Sequence, residues 1–316
     1  MYNGLIVINK VAGFTSSDVV AKLRGILHMR KIGHTGTLDP DAVGVLPVCL
    51  GSGTKLVEMI GGQEKEYRAV MRLGVVTDTQ DMSGAILQSI PEEEIRKSVT
   101  EEMVRSTAAS FIGEIDQVPP MYSAVKIGGK KLYELARAGK SVERKARRIR
   151  ILDLEIEKIE LPLVTMRVVC SKGTYIRTLC EDIGNALGTG AAMQHLTRTR
   201  VGQFTLEQAI TLEEAQRIMD SEPEEIGGYI LPVDSFFAGF PALKALPEAQ
   251  IHLENGNPLM LRETDCSKET ARRIKENAGP DSLIRMYGQE GRFYAVYRYD
   301  TGSHRLVNVK FFPQSE

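Results

Sequence analysis

Two neighbouring stretches with a period of two constrain this chain's fold most. Leu152, Leu154 and Ile156 alternate with Asp153, Glu155 and Glu157, and Val164, Met166 and Val168 alternate with Thr165 and Arg167. Successive strand side chains point to opposite faces, so each stretch has one apolar and one polar side. The pair reads as two antiparallel strands. Tyr67 to Val76 alternates in the same way, with Ala69, Met71 and Leu73 opposite Arg68, Val70 and Arg72. Leu5–Ile8 is a short strand, and Val43–Leu50 is an apolar, buried run. Helical signals lie between them. Thr15-Ser16-Ser17-Asp18 offers N-caps, and Val19, Val20, Leu23, Ile26 and Leu27 recur at helical spacing, with Lys22 and Arg24 outside. Further helices are expected over Thr54–Ile60, Glu92–Phe111 (as one or two pieces) and Thr174–Leu187. Antiparallel strands with intervening helices, without βαβ repetition, predict an α+β fold.

At 316 residues, 42% hydrophobic and 26% charged, the chain can bury a large core and a smaller second one. No segment approaches the ~18 apolar residues of a membrane span, and no secretory leader is expected. Cys49, Cys170, Cys180 and Cys266 form no Cys-x-x-Cys pair, and the histidines are scattered, so no zinc site is expected. Buried free thiols fit a reducing cytoplasm. Gly51 to Lys55 lacks the spacing of a phosphate loop.

A net charge of −1 hides an uneven distribution. Ten Lys or Arg fall between Lys126 and Arg150 against Glu134 and Glu143, and a weaker cluster holds Lys22, Arg24, Arg30 and Lys31. Such patches suit a polyanion gripped on one face; a solvated helical face is the alternative. From Gly113 to about Lys145 the chain is irregular and basic, with Tyr122 and Tyr133 interleaved and a helix expected near Lys131–Ala138. It reads as a binding loop inserted between regular elements. Composition shifts near Pro232, and strands over Leu283–Tyr287, Arg292–Tyr299 and Leu306–Phe312 predict a β-rich module of about 80 residues. Its Phe293, Tyr294, Tyr297 and Tyr299 are mostly core residues on this reading, with a stacking surface as the alternative.

The stretch His34-Thr35-Gly36-Thr37-Leu38-Asp39-Pro40 isolates one carboxylate between a glycine turn and a proline. Pro40 restricts both itself and Asp39, while Gly36 eases the turn, so the acid can be held rigidly. An ordinary turn is the alternative.

The remaining motifs are Ile8-Asn9-Lys10, Gly13-Phe14-Thr15-Ser16, Gly44-Val45-Leu46-Pro47, Lys65-Glu66-Tyr67 and Thr77-Asp78-Thr79-Gln80-Asp81. Gln117-Val118-Pro119-Pro120 and Ser171-Lys172-Gly173-Thr174-Tyr175-Ile176-Arg177 follow. In this order, from about Gly4 to Phe204, the chain resembles the TruB family of bacterial tRNA pseudouridine-55 synthases; Val11 departs from the family's usual Lys-Pro. The resemblance implies a catalytic domain over 1–232 with a mixed, largely antiparallel sheet and a thumb-like insertion at about 113–145. It also implies a PUA-like RNA-binding barrel over 233–316.

The implied reaction is the isomerisation of uridine 55 in the tRNA T stem-loop, without cofactor or metal, by a cytoplasmic monomer with no obligatory protein partner. Asp39 is the expected essential group, attacking C1′ or C6 or stabilising charge while a proton leaves C2′. Each route needs the ionised acid, which burial disfavours and a cation restores. The resemblance assigns that cation to Arg177, whose alternatives are a phosphate clamp or another structural pair. Tyr67 and Tyr175 would wall the base pocket, where stacking offsets part of the cost of flipping. His34 would fill the gap left by the extruded base. Leu196 would contact the uracil or else pack in the core at a helix end. Asp81 would support Tyr67 or Arg177. Three other readings are a non-catalytic RNA-binding protein, a guide-RNA-dependent relative working with partner proteins, and a glycoside hydrolase. The last usually needs two partnered carboxylates.

Overall fold

The computed structural model describes residues 2–140 and 142–312. Of the insertion's basic run, the side chains of Lys131 and Arg137 lie outside the description, as do Ser141 and residues 313–316. β1 (Gly4–Lys10) leads through α1 (Ser16–Ile26) to the short β2 (Ile32–His34) and β3 (Val43–Leu50). A 3-10 turn over Gly51–Leu56 and α2 (Val57–Gly61) precede β4 (Lys65–Leu73), β5 (Val75–Thr77) and β6 (Ile86–Ser89). Then come α3 (Glu92–Ser98), α4 (Glu101–Ala109) and β7 (Gly113–Gln117). An excursion holds β8 (Lys126–Ile127), β9 (Lys130–Lys131) and α5 (Leu132–Arg137). β10 (Arg147–Glu160), β11 (Leu163–Cys170), α6 (Ile176–Ala186), β12 (Ala191–Val201), β13 (Phe204–Thr205), α7 (Leu212–Ser221) and β14 (Ile230–Leu231) follow.

These strands build one sheet in the order β14-β1-β3-β12-β4-β11-β10-β7, with β2 on β3 and β13 on β12. Every pairing is antiparallel except β12 with β3, so the sheet is mixed and largely antiparallel as expected. The expected hairpin is β10–β11. Its inward residues change phase from Ile149 and Ile151 to Leu154 and Ile156, and a register shift between Ile151 and Asp153 makes the change possible. The expected helix over 92–111 is two, because Val99 is extended and Thr100 caps α4 by accepting from the Met103 N–H. Only the end of the expected 54–60 helix is α-helical.

The structure corrects two further expectations. The stretch read as irregular from Gly113 begins with β7, whose five residues pair with Arg147–Ile151 of β10. Leu196 lies in the middle of a strand, not at a helix end. β12 hid its period because its register shifts between Met193 and His195 and between Arg198 and Arg200, and because Arg198 faces inward.

The close approach of β12 to β3 depends on Gly44, which has φ +103° and whose missing Cβ would overlap the Arg198 carbonyl. Gly44→Ala is therefore expected to cost at least about 2 kcal/mol of folding stability in urea melts, from left-handed backbone strain plus steric overlap.

The C-terminal part contains β15 (Ala242–Lys244), α8 (Gln250–Glu254), α9 (Lys268–Glu276), β16 (Leu283–Tyr287), β17 (Phe293–Asp300) and β18 (Arg305–Phe311). Its strands form an open sheet, β15-β16-β17-β18, rather than a closed barrel. The reason is local. Segment 259–264 meets both edges, but only through single bridges, Leu259 to Leu306 and Thr264 to Ala245. Phe293, Tyr297 and Tyr299 are buried, while Tyr294 is half-buried. One apolar cluster joins Leu5, Val7, Val45 and Phe204 of the large body to Phe237, Phe293, Val296 and Phe312. Among the described residues no helix is long and apolar enough to cross a membrane.

Candidate active site

The segment carrying Asp39 is clamped from three sides. Lys10, at the end of β1, is buried and donates to the Pro40 carbonyl at 2.8 Å and the Val11 carbonyl at 3.0 Å. The Gly13 N–H reaches the same Pro40 oxygen at 3.0 Å. From the start of α1, the Ser16 hydroxyl accepts the Leu38 N–H at 2.9 Å. From β12, the buried Arg198 guanidinium donates to the carbonyls of Val45 at 2.7 Å and Gly36 at 3.3 Å. Buried carbonyls need donors, and these cations supply them. Burial lowers the Lys10 ammonium to about 8, although Asp41 and Asp39 act to raise it.

Arg177, in the first turn of α6, is the hub. Its Nε lies 3.0 Å from Asp39 Oδ2 and its Nη2 3.2 Å from Asp39 Oδ1, a two-pronged pairing. Nη1 donates to the Thr79 carbonyl at 3.1 Å and sits 3.5 Å from Asp81 Oδ2, while Nη2 also reaches the Tyr122 carbonyl at 2.8 Å. Asp81 is fixed in turn, accepting from the Thr79 hydroxyl at 2.7 Å and the Ser83 N–H at 3.0 Å. Of the alternatives for Asp81, the geometry supports contact with Arg177. The Arg177 side chain is 6% accessible and that of Asp39 is 38%, so the acid keeps one side open while its cation is enclosed. Burial pushes the Asp39 carboxyl above its ordinary value; Arg177 opposes this, and nearby Asp81 reinforces it.

Tyr67 is buried on β4, with Arg198 as its cross-strand neighbour on β12. Two residues away on each strand, Ala69 pairs with Leu196, so Tyr67 and Leu196 share the inward face and one apolar cluster with Leu38. Burial raises the Tyr67 hydroxyl, with the Arg198 charge acting against it, so the group stays protonated at neutral pH. Tyr175 caps α6, half-buried, and its backbone is held by the Gln117 side chain. His34 is on the sheet-edge strand β2, opposite Val48. Burial, then the Arg198 charge, lowers its imidazole, which is therefore neutral. No hydrogen bond or ion pair joins His34 to Asp39 among the described residues.

Asp39 and Asp81 thus both meet Arg177; Tyr67 and Leu196 belong to the same apolar cluster as Leu38 of the clamped segment, and Tyr175 sits two residues from Arg177. Sequence reasoning gave Lys10, Ser16, Gln117 and Arg198 no part in the site. Lys10, Ser16 and Gln117 were visible inside quoted motifs, but Arg198 in Thr197-Arg198-Thr199-Arg200 looks like surface charge. Two broad surface hollows lie elsewhere, one between Thr54–Glu58 and Asn308–Phe311, the other over Arg68, Thr165 and His195. Neither includes Asp39.

Comparison with known proteins gives two family matches. Residues 24–176 match the TruB family pseudouridylate synthase N-terminal domain, and residues 177–238 match the tRNA pseudouridylate synthase B C-terminal domain. The boundary between these matches falls at the start of α6, so both contribute strands to the large sheet. A tRNA pseudouridine synthase B of Clostridium tetani is 43% identical over 97% of this chain and 99% of its own length. That of Lachnoclostridium phytofermentans is 44% identical over 98% of this chain and 99% of its own. Among solved structures, a chain from an H/ACA RNP bound to a substrate RNA containing 2'-deoxyuridine matches with TM-score 0.69 and 25% identity. The match covers 98% of this chain and 85% of that one. A Cbf5-Nop10-Gar1 complex contains another, with TM-score 0.69 and 27% identity, covering 99% and 87%.

Proposed function

The chain belongs to the TruB family of pseudouridylate synthases, and from that premise we propose that it converts uridine 55 of the tRNA T arm to pseudouridine, with Asp39 as the essential group. The observation that carries this is the two-pronged pairing of Asp39 with an enclosed guanidinium, on a segment clamped by Lys10, Ser16 and Arg198. In the reaction the N1–C1′ bond breaks, the uracil turns, C5 bonds to C1′, and the proton lost from C5 is balanced by one gained at N1. Asp39 acts as the carboxylate, Arg177 keeps it ionised and oriented, and Asp81 steadies Arg177. Tyr67, Tyr175 and Leu196 wall the flipped base, and His34 takes its place in the RNA stack.

The exposed Lys126, Lys130, Lys140 and Lys145 of the excursion suit a phosphate backbone, and RNA hairpins are read largely by shape and stacking. We assign residues 1–232 to the catalytic unit and 233–316 to a PUA-like RNA-binding unit. The protein acts in the cytoplasm as a single chain.

The reaction needs ionised Asp39, and burial raises its pKa, so lowering pH protonates it earlier than an ordinary carboxyl. The acid limb of kcat/KM is therefore expected to have its midpoint above about 4. A midpoint at or below that value contradicts the assignment.

The deciding experiment incubates the purified chain with an unmodified tRNA transcript, without added metal or nucleotide, and maps products by carbodiimide primer extension. Modification at position 55 is expected; none there defeats the reading. Two of the solved neighbours come from complexes, which favours a second reading in which partner proteins are required. Activity of the isolated chain on a bare T-arm hairpin excludes it.

A further inference from the structure

Gln117 ends β7 and immediately precedes the basic excursion, yet it is only 2% accessible. Its Nε2 donates to the Tyr175 carbonyl at 3.1 Å, and its Oε1 accepts the Tyr175 N–H at 2.8 Å. A side-chain amide can do this because it carries both a donor and an acceptor, and here it grips one residue's backbone from both ends. Tyr175 caps α6 without a side-chain cap bond of its own, and Arg177 follows two residues later. Five residues beyond Gln117, the Tyr122 carbonyl accepts from Arg177 Nη2 at 2.8 Å. The root of the excursion is therefore held to one short segment by three hydrogen bonds: two at a candidate pocket tyrosine and one at the cation holding Asp39.

We propose that Gln117 is a positioning residue for the isomerisation, coupling the seating of the 118–146 excursion to the placement of Tyr175 and the Arg177–Asp39 pair. This rests on the functional reading above. When the excursion settles on an RNA hairpin, Gln117 transmits that seating to the reacting centre. Exposed lysines of the excursion still bind phosphates without it, so its loss separates binding from turnover.

The test uses the full chain with Gln117→Met, which keeps bulk and removes both hydrogen bonds. Gln117→Glu, which keeps the acceptor but sets a carboxylate against the Tyr175 carbonyl, carries the same comparison if the first variant does not fold by circular dichroism. At saturating tRNA transcript the single-turnover rate is expected to fall about 10- to 100-fold, while Kd by filter binding changes less than about threefold. Without RNA, trypsin is expected to cut the Lys- and Arg-rich excursion several times faster than in the parent. A rate within about threefold of the parent, a rate loss matched by weaker binding, or an unchanged trypsin rate overturns the proposal. If the parent itself leaves the transcript unmodified, the functional reading fails, while the trypsin comparison still decides the coupling.

Discussion

Asp39→Asn is expected to lower the single-turnover rate of pseudouridine formation on the order of a thousandfold or more, while tRNA binding stays within about threefold. The amide matches the carboxylate in shape but lacks the charge that all three chemical routes require. Folding should suffer little. The substituted amide keeps one carbonyl oxygen for the guanidinium, and Arg177 retains Asp81 and the carbonyls of Thr79 and Tyr122. A stability loss of about 1 kcal/mol, that of one weakened hydrogen bond, is the expected scale. Carbodiimide primer extension, filter binding and a thermal melt on the same preparation separate these effects. Modification persisting within about tenfold of the parent would remove Asp39 from the chemistry.

Arg177→Ala is expected to damage both stability and activity. It leaves Asp39 and Asp81 facing each other without a shared cation, and strips donors from two carbonyls. Breaking a buried pair from one side costs about 3–5 kcal/mol, and the partial exposure of Asp39 favours the lower end. Activity should fall most at acid pH, because without the cation the Asp39 carboxyl rises further and protonates sooner. Arg177→Lys retains charge but not the planar fork, so it should be more stable than Arg177→Ala yet still impaired. A urea midpoint for Arg177→Ala equal to the parent's would show that the hub is not structural.

Much of the frame was legible because alternation in 67–73, 152–157 and 164–168 reports which side of a strand is wet. The single strand expected to run on to Val76 instead breaks at Gly74, whose φ is +79°, and Val75–Thr77 joins a separate two-stranded sheet. The Asp39 segment was legible because proline and glycine act locally, through backbone angles. What escaped notice depends on partners distant in sequence. Arg198 is fully enclosed because carbonyls of Gly36 and Val45, more than 150 residues earlier, need donors. β12 was missed because its bulges break the period that marks a strand. The barrel expected at the C-terminal end stayed open because two isolated bridges, rather than a continuous ladder, link its edges. α9 escaped because its stability comes from a Ser267 cap and charged pairs four residues apart, with only Ile274 buried.

The apolar cluster shared by Leu5, Val7 and Phe204 with Phe237, Phe293 and Phe312 bears on truncation. Removing everything after Leu231 would do more than delete a small C-terminal sheet: it would lay bare a greasy flank of the remaining body. A trimmed catalytic fragment should accordingly be prone to clumping, whatever its Asp39 can still do.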